Sequence, residues 1–404
     1  MNHIRRLVLL NQMAGPLFRQ LAEGLAGRYP DGAQLVTGQQ DTLAMAGKLV
    51  DNLEVVAAPG YDRRSRFYRV YSWFRYLLSV TGRILFFRNG DAILLVSNPP
   101  LLGPWVWFLS FLRPVPYGVL VYDIYPDVLE QMGLIRAGSL PSRFWREVNR
   151  LVFRRARVVI TIGARMAARL QIQVGSDGAA VSVVSPWVDV EMIRPLARAQ
   201  NPYLSRFIEP DDIVVLYSGN MGASHDIDSM LAAAESLRPH RHIRFLFIGE
   251  GEKRATVEAY IHRFPEGNVR LFPFQPESLL PYTLTLGDIS LVALDEGMED
   301  LMVPSKVFSY LAAGSAILAI ANDVSELSDV VDDSGCGMRV PPRQPERIVA
   351  ALLAMTGDPE LLAAFKRQAR QRAEQRYSQK VGVQAFAEII ERVYLRPAPM
   401  KDKT

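Results

Sequence analysis

The stretch Glu299-Asp300-Leu301-Met302-Val303-Pro304-Ser305-Lys306 ends an acidic loop on a serine and a lysine, and an apolar run to Ala313 then closes on Gly314. Proline suits the first turn of a helix and glycine its end, so a short helix is expected here, with Val307, Phe308 and Leu311 on its inner face. Ser305 and Lys306 then stand at the helix start, where unbonded backbone N–H groups and the positive end of the dipole gather. A lysine at that place costs roughly 0.3–1 kcal/mol unless an anion lies between it and the helix. The combination points to a bound phosphate; a solvated lysine on a surface helix is the other reading of the same residues. A second candidate is Asp123, in Tyr122-Asp123-Ile124-Tyr125-Pro126-Asp127, directly after the strand-like Tyr117 to Val121. Open α/β sheets place ligands beyond the carboxyl ends of their strands; capping the following helix is the alternative role for Asp123.

These residues need a scaffold, and the chain alternates strand-like and helix-like segments throughout. Apolar runs at Ile4 to Leu10, Ala33 to Thr37, Leu53 to Ala57, Ile93 to Val96, Tyr117 to Val121, Val158 to Ile162 and Ala180 to Val184 suit strands buried on both faces. A polar, proline-bearing stretch from Arg194 to Asp212 reads as a linker. A second set follows at Ile213 to Tyr217, Arg244 to Ile248, Val269 to Leu271, Ile289 to Ala293 and Ala316 to Ile320. The expected class is α/β, with two Rossmann-like doubly wound parallel sheets and a cleft between them. The domains are expected at 1–190 and 191–380, with a last helix in 381–404 that crosses back to the first. Gly15, in the turn after the first strand, either lets a ligand approach the backbone or is an ordinary turn glycine.

Composition narrows the function classes. The chain has 404 residues, 49% of them hydrophobic and 22% charged, as in a folded globular protein. A single cysteine, Cys336, excludes a disulfide framework and fits a reducing compartment, and five histidines argue against a structural zinc site. Cys336 lies in Ser334-Gly335-Cys336-Gly337 and reads as a turn residue. The first ten residues hold two arginines and four consecutive apolar residues, which suits a first strand and not a signal peptide.

Residues 1–190 carry 22 Lys and Arg against 13 Asp and Glu, or +9, whereas the remainder is −5. The first half is therefore the one expected to meet an anionic surface. Between Asp62 and Asp91 there is no acid, while arginines alternate with Phe67, Tyr68, Tyr71, Trp73, Phe74 and Tyr76. Such a mixture suits the headgroup region of an anionic bilayer, and a helix packed on the sheet with its arginines snorkelling outward is the alternative. Trp73, Phe74, Arg75, Trp105 and Trp107 are the expected membrane contacts. No nucleic-acid motif accompanies them, so nucleic acid is not an expected partner. Ala92 to Leu112 is free of charge over 21 residues, but Pro99-Pro100 and Gly103-Pro104 break it into strand, loop and short helix.

Taken in order, the motifs resemble the GT-B glycosyltransferases, specifically the retaining enzymes of glycosyltransferase family four that build bacterial surface polysaccharides. The resemblance covers nearly the whole chain. It rests on Asp123 with Tyr125-Pro126-Asp127, on Pro186-Trp187-Val188-Asp189, on Tyr217-Ser218-Gly219-Asn220-Met221-Gly222, on Phe247-Ile248-Gly249-Glu250-Gly251-Glu252, and on Val303-Pro304-Ser305-Lys306 with Leu311-Ala312-Ala313-Gly314. The chain departs from many relatives where their Glu-x7-Glu pair would fall, holding Leu301 and Ser309 instead. Asn220 and His225 stand where an arginine and a lysine often follow the second domain's first strand, as in a subgroup that uses Pro-Ser-Lys.

The resemblance implies transfer of a sugar from a UDP- or GDP-sugar to a lipid-linked, polyprenyl diphosphate saccharide, without a metal or other cofactor. Lys306 and Asp123 are the expected catalytic residues. Gly15, Gly219, Asn220, Gly249, Glu299, Pro304 and Ser305 are the expected donor contacts, with Glu299 holding the donor sugar. Asp226-Ile227-Asp228 mimics the metal-binding Asp-x-Asp of another glycosyltransferase fold, but two carboxylates at a helix start are simply favoured by its dipole. A peripheral or monotopic protein on the cytoplasmic face of the inner membrane is expected. A nucleotide-sugar epimerase of the same fold and a non-catalytic, membrane-associated nucleotide-binding subunit are the alternatives.

Overall fold

The computed structural model describes residues 4–45, 49–62, 64–175, 178–222, 225–294, 301 and 303–394. The chain divides into two units, one running to Ser185 and resuming at Gly382, the other spanning Pro186–Val381. In the first, the strands are β1 (Arg6–Leu10), β2 (Ala33–Thr37), β3 (Leu53–Ala57), β4 (Asp91–Val96), β5 (Tyr117–Val121), β6 (Val158–Thr161) and β7 (Val181–Val183). They form a parallel sheet in the order β3-β2-β1-β4-β5-β6-β7. Its central strands are buried on both faces, which is why they read as continuous apolar runs. β1 begins at Arg6, two residues later than the apolar run, and Arg6 pairs there with the buried Asp91 at 2.7 Å.

The second unit contributes β8 (Ile213–Ser218), β9 (Ile243–Ile248), β10 (Val269–Phe272), β11 (Ile289–Ala293), β12 (Ala316–Ile320) and β13 (Gly337–Val340), ordered β10-β9-β8-β11-β12-β13. β13 is an addition to the sequence reading. A Cβ at Gly337 would lie 1.8 Å from the Ile317 carbonyl oxygen, so a glycine lets this edge strand approach. Cys336 is buried just before it, and burial pushes its thiol up to about 12, which leaves it unreactive near neutrality. The stretch expected as a linker is packed onto this unit instead. Asn201 donates to the Tyr282 carbonyl at 2.8 Å, and the buried Phe207 meets Phe272 edge to face.

In both sheets the strand order reverses beside the first strand, between β1 and β4 and between β8 and β11. Ligand-binding crevices of open α/β sheets lie outside the carboxyl ends of such strands. The turn Ser218-Gly219-Asn220 follows β8, and the helix Lys306–Ala313 follows β11 after an intervening loop. The two anion-binding candidates thus leave neighbouring central strands, paired at Val215 with Ile289 and at Leu216 with Ser290.

Candidate active site

The helix Lys306–Ala313 forms as its residues dictate. Val307, Phe308 and Leu311 are buried, and Gly314 ends the helix in the left-handed conformation at φ 71°. Ser305 is the N-cap, and its side chain makes no capping bond. The N–H groups of Val307 and Phe308 bond tightly back to the carbonyls of Pro304 and Ser305. Those of Ser305 and Lys306 have no partner among the described residues.

The Lys306 side chain folds back over the β8 turn. Its Nζ lies 4.0 Å from the centre of the Tyr217 ring, and among the described residues no carboxylate comes within ion-pair distance. A Cβ placed on Gly219, whose φ is 134°, would stand 3.3 Å from that Nζ, so the ammonium rests against the glycine backbone. Burial pulls the Lys306 pKa down to about 8.

Hydrogen bonds hold the turn rigid. Tyr310, one helical turn beyond Lys306, accepts from the Ser218 N–H at 2.7 Å and donates to the Ser218 carbonyl at 2.9 Å. The Tyr217 hydroxyl donates to the Asn220 carbonyl at 2.7 Å, and His225 Nδ1 lies 2.7 Å from the same hydroxyl. The Gly219 and Met221 N–H groups are bonded to Ile248 and Glu250, which leaves the Asn220 N–H without a partner among the described residues. His225 stands where relatives often carry a lysine, and its pKa falls to about 4 through burial and then through repulsion by Lys306. It is neutral at pH 7, and Lys306 is the cation of this turn.

Gly249 serves the turn from below. At φ 151°, its missing Cβ would fall 1.9 Å from the Gly219 carbonyl oxygen, so the two glycine turns stack backbone on backbone. Pro304 is half-buried and Ser305 exposed. Glu299 lies outside the described residues. Leu301, at one site of the absent Glu-x7-Glu pair, is buried as an apolar residue. Asp226 caps the following helix, accepting from the Ser229 N–H at 3.2 Å and from the Arg343 N–H at 2.7 Å, while Asp228 pairs with Lys253 at 2.7 Å. Both carboxylates are thus committed to the protein itself.

In the first unit, Asp123 follows β5 and opens into a pocket lined by Leu95, Val121, Tyr125, Trp145, Phe153 and Gln173 among others. Burial raises the Asp123 pKa, and no hydrogen bond or ion pair within the described residues relieves it. The neighbouring Asp127 is its opposite. It is buried, with Arg169 at 2.5 Å and Arg146 at 3.4 Å, and fixes the helices behind the pocket. Trp145 stacks on Tyr125 at 5.9 Å and forms the pocket's aromatic wall. Gly15 is the N-cap of the helix Pro16–Ala26 with φ −76°, and nothing lies within 4 Å of where its Cβ would be. Its conformation does not demand glycine, and its backbone is uncovered.

The helix Arg66–Leu85 bears an exposed stripe of Phe67, Tyr71, Phe74 and Leu78, spaced as one helical face, and Phe108, Phe111 and Leu112 are exposed on the helix Leu102–Leu112. Arg75 is exposed beside the stripe. The tryptophans are turned inward: Trp73 stacks on Tyr61 with its indole N–H buried, and Trp105 donates to Thr81 at 2.8 Å. Trp107 is half-buried against Phe111. Among the described residues no single helix is long and apolar enough to cross a membrane.

Residues 205–372 match the family model described as "Glycosyl transferases group 1". The chain is 27% identical over 322 residues to the probable glycosyltransferase WbjE of Pseudomonas aeruginosa, covering 79% of this chain and 78% of that one. It is 30% identical over 169 residues to the putative colanic acid biosynthesis glycosyl transferase WcaI of Escherichia coli (strain K12), 41% of each chain. Among solved structures, Anabaena Alr3699/HepE in complex with UDP superposes with a TM-score of 0.70 at 14% identity, over 96% of this chain and 100% of that one. The fold is that of the GT-B glycosyltransferases, and the chain, with a group 1 glycosyl transferase domain in its second unit, is a glycosyltransferase.

Proposed function

We propose that the protein moves a sugar from a nucleotide diphosphate donor to a lipid-linked saccharide, with retention of anomeric configuration, in the assembly of a bacterial surface polysaccharide. The observation that carries this reading is the Lys306 ammonium, unpaired among the described residues, set against the Gly219 turn and beside an open helix start. As the bond from the sugar to the diphosphate breaks, negative charge grows on the leaving phosphate. Lys306, the Asn220 amide and the Ser305 and Lys306 amides are prearranged donors for that charge, and they need no reorganisation as it forms. Preorganised donors of this kind take the place of a metal. WbjE and WcaI are named as glycosyltransferases, WcaI of colanic acid biosynthesis, and HepE binds UDP, which supports a polysaccharide product and a UDP-sugar donor.

Asp123 then serves the acceptor. A carboxylate raised by burial and free of partners is a hydrogen-bond acceptor with its capacity unspent, suited to an incoming hydroxyl. The acceptor is lipid-linked because the first unit is the basic one and carries the exposed aromatic stripe, which would seat the protein peripherally on an anionic membrane at its cytoplasmic face. The experiment is to incubate the protein with UDP- and GDP-sugars, with and without polyprenyl diphosphate saccharide extracted from a surface-polysaccharide strain. Acceptor-dependent consumption of donor is expected. Interconversion of free donors without acceptor would make the protein an epimerase, and neither reaction would leave a binding subunit.

A further inference from the structure

We propose that the ring of Tyr217 is the positioning element for Lys306: it holds the ammonium by its π face without neutralising it, and so delivers the whole charge to the donor diphosphate. This rests on the functional reading above, which it extends to a residue that contacts no substrate. A half-buried cation withdrawn from water needs a partner, and the ordinary one is a carboxylate. A carboxylate would cancel the charge and have to be displaced whenever phosphate arrived. An aromatic face attracts the cation through its quadrupole, carries no net charge, and leaves the outward N–H groups unspent.

Everything around Tyr217 serves to fix that ring. Its side chain is 1% exposed, lies against Phe247 at 5.7 Å and His225 at 6.2 Å, and is tethered by its hydroxyl to the Asn220 carbonyl. The neutral His225 packs there without competing for the ring as a second cation would. On its other side the ammonium meets Gly219, where any larger residue would press on Nζ. Tyr310 ties the helix that carries Lys306 to the strand that carries Tyr217, so ring and ammonium move as one body.

The test changes the ring's electrostatics while keeping its shape. Tyr217→Phe is the parent, and phenylalanines carrying one, two and three ring fluorines are placed at the same position. Binding of UDP and of GDP is measured by calorimetry, with melting temperature as the check on folding. Fluorination drains the π face, so affinity for the better nucleotide should fall stepwise, by about tenfold across the series. In a Lys306→Ala background the same series should be flat, because the coupling vanishes with either partner. Equal affinity along the series with Lys306 present, or an equal decline without it, overturns the positioning role while leaving the diphosphate site standing. If Lys306→Ala binds as tightly as the wild type, or the wild type takes neither nucleotide, the underlying reading fails and takes this one with it.

Discussion

The turn after β8 and the turn after β5 both leave the carboxyl ends of parallel strands, one in each sheet, yet they treat charge in opposite ways. In the second unit a cation is laid against a rigid polar turn whose other groups are nearly all bonded to one another. In the first unit a carboxyl faces a largely apolar pocket with nothing bonded to it among the described residues, while its neighbour Asp127, four residues on, is held by two arginines. A folded chain that pairs Asp127 so fully can pair its charges; Lys306 and Asp123 have no ion-pair partner among the described residues, and the proposed function assigns that place to substrate. On the proposed function the polar turn would take the diphosphate, and the apolar-walled carboxylate a sugar hydroxyl.

The largest effect should come from Lys306. Lys306→Ala is expected to cut turnover by roughly 10²–10³-fold, or about 3–4 kcal/mol of transition-state stabilisation. Its melting temperature should hold or rise, because the native state no longer carries a desolvated charge. The pH profile sharpens this. The folded-state pKa of about 8 lies below the ordinary lysine value of 10.5, so the charge on Lys306 opposes folding below about pH 8 and the penalty fades as pH rises between those two values. Activity runs the other way: kcat/KM at subsaturating donor should decline above about pH 8, where the free enzyme loses its cation. A profile flat to pH 10 would remove Lys306 from the site.

Asp127 should show the contrary pattern. Asp127→Ala strands Arg169 beside a buried position, while Arg146 keeps Glu130 at 2.5 Å, and is expected to cost about 3 kcal/mol of stability, the low end for a broken buried pair because Arg169 is partly solvated. Chemical denaturation measures it, and a loss under 1 kcal/mol would deny Asp127 its bracing role. Asp123→Asn, by comparison, should leave the denaturation midpoint unchanged or raised. Its pKa is raised in the folded state, so its charged form disfavours folding above that pKa, and the amide removes the penalty. Transfer should fall roughly a hundredfold, the low end of what a positioned acid or base supplies. Asp123→Asn with full activity and Asp127→Ala with full stability would together erase the contrast.

Much of this was legible in the residues alone because the fold rests on buried parallel strands. β2, β3, β5, β11 and β12 run from end to end where the apolar runs place them. The helix at Lys306 was legible because Pro304 and Gly314 punctuate it. What stayed hidden depends on contacts distant in sequence. Tyr310 and Tyr217 look like core aromatics, and their roles at the turn appear only when β8 and the helix after β11 are brought side by side. His225 occupies a cation's place in the order of motifs, but its charge is decided by burial and by Lys306, neither of which spacing reveals. The tryptophans were the natural candidates for a membrane face by residue type. Trp73 stacks on Tyr61 and Trp105 bonds to Thr81, contacts that residue type alone does not show.

That last point gives the smallest and most discriminating prediction. On the helix Arg66–Leu85, Phe67 is 74% exposed and Phe74 55%, while Trp73 between them is turned in against Tyr61. If the stripe seats in a bilayer, Phe67→Ser and Phe74→Ser should each weaken partitioning to phosphatidylglycerol vesicles by about 1–2 kcal/mol, the worth of one ring's apolar area, without lowering the melting temperature. Raising salt should weaken the wild type further, since the arginines beside the stripe act through screened attraction. Trp105→Ser should do the reverse, loosening the fold by severing its bond to Thr81 and changing partitioning little. Loss of vesicle binding on Trp105→Ser in a protein that still melts normally would return the membrane face to the tryptophans, and no loss from either phenylalanine would leave the stripe without a lipid role.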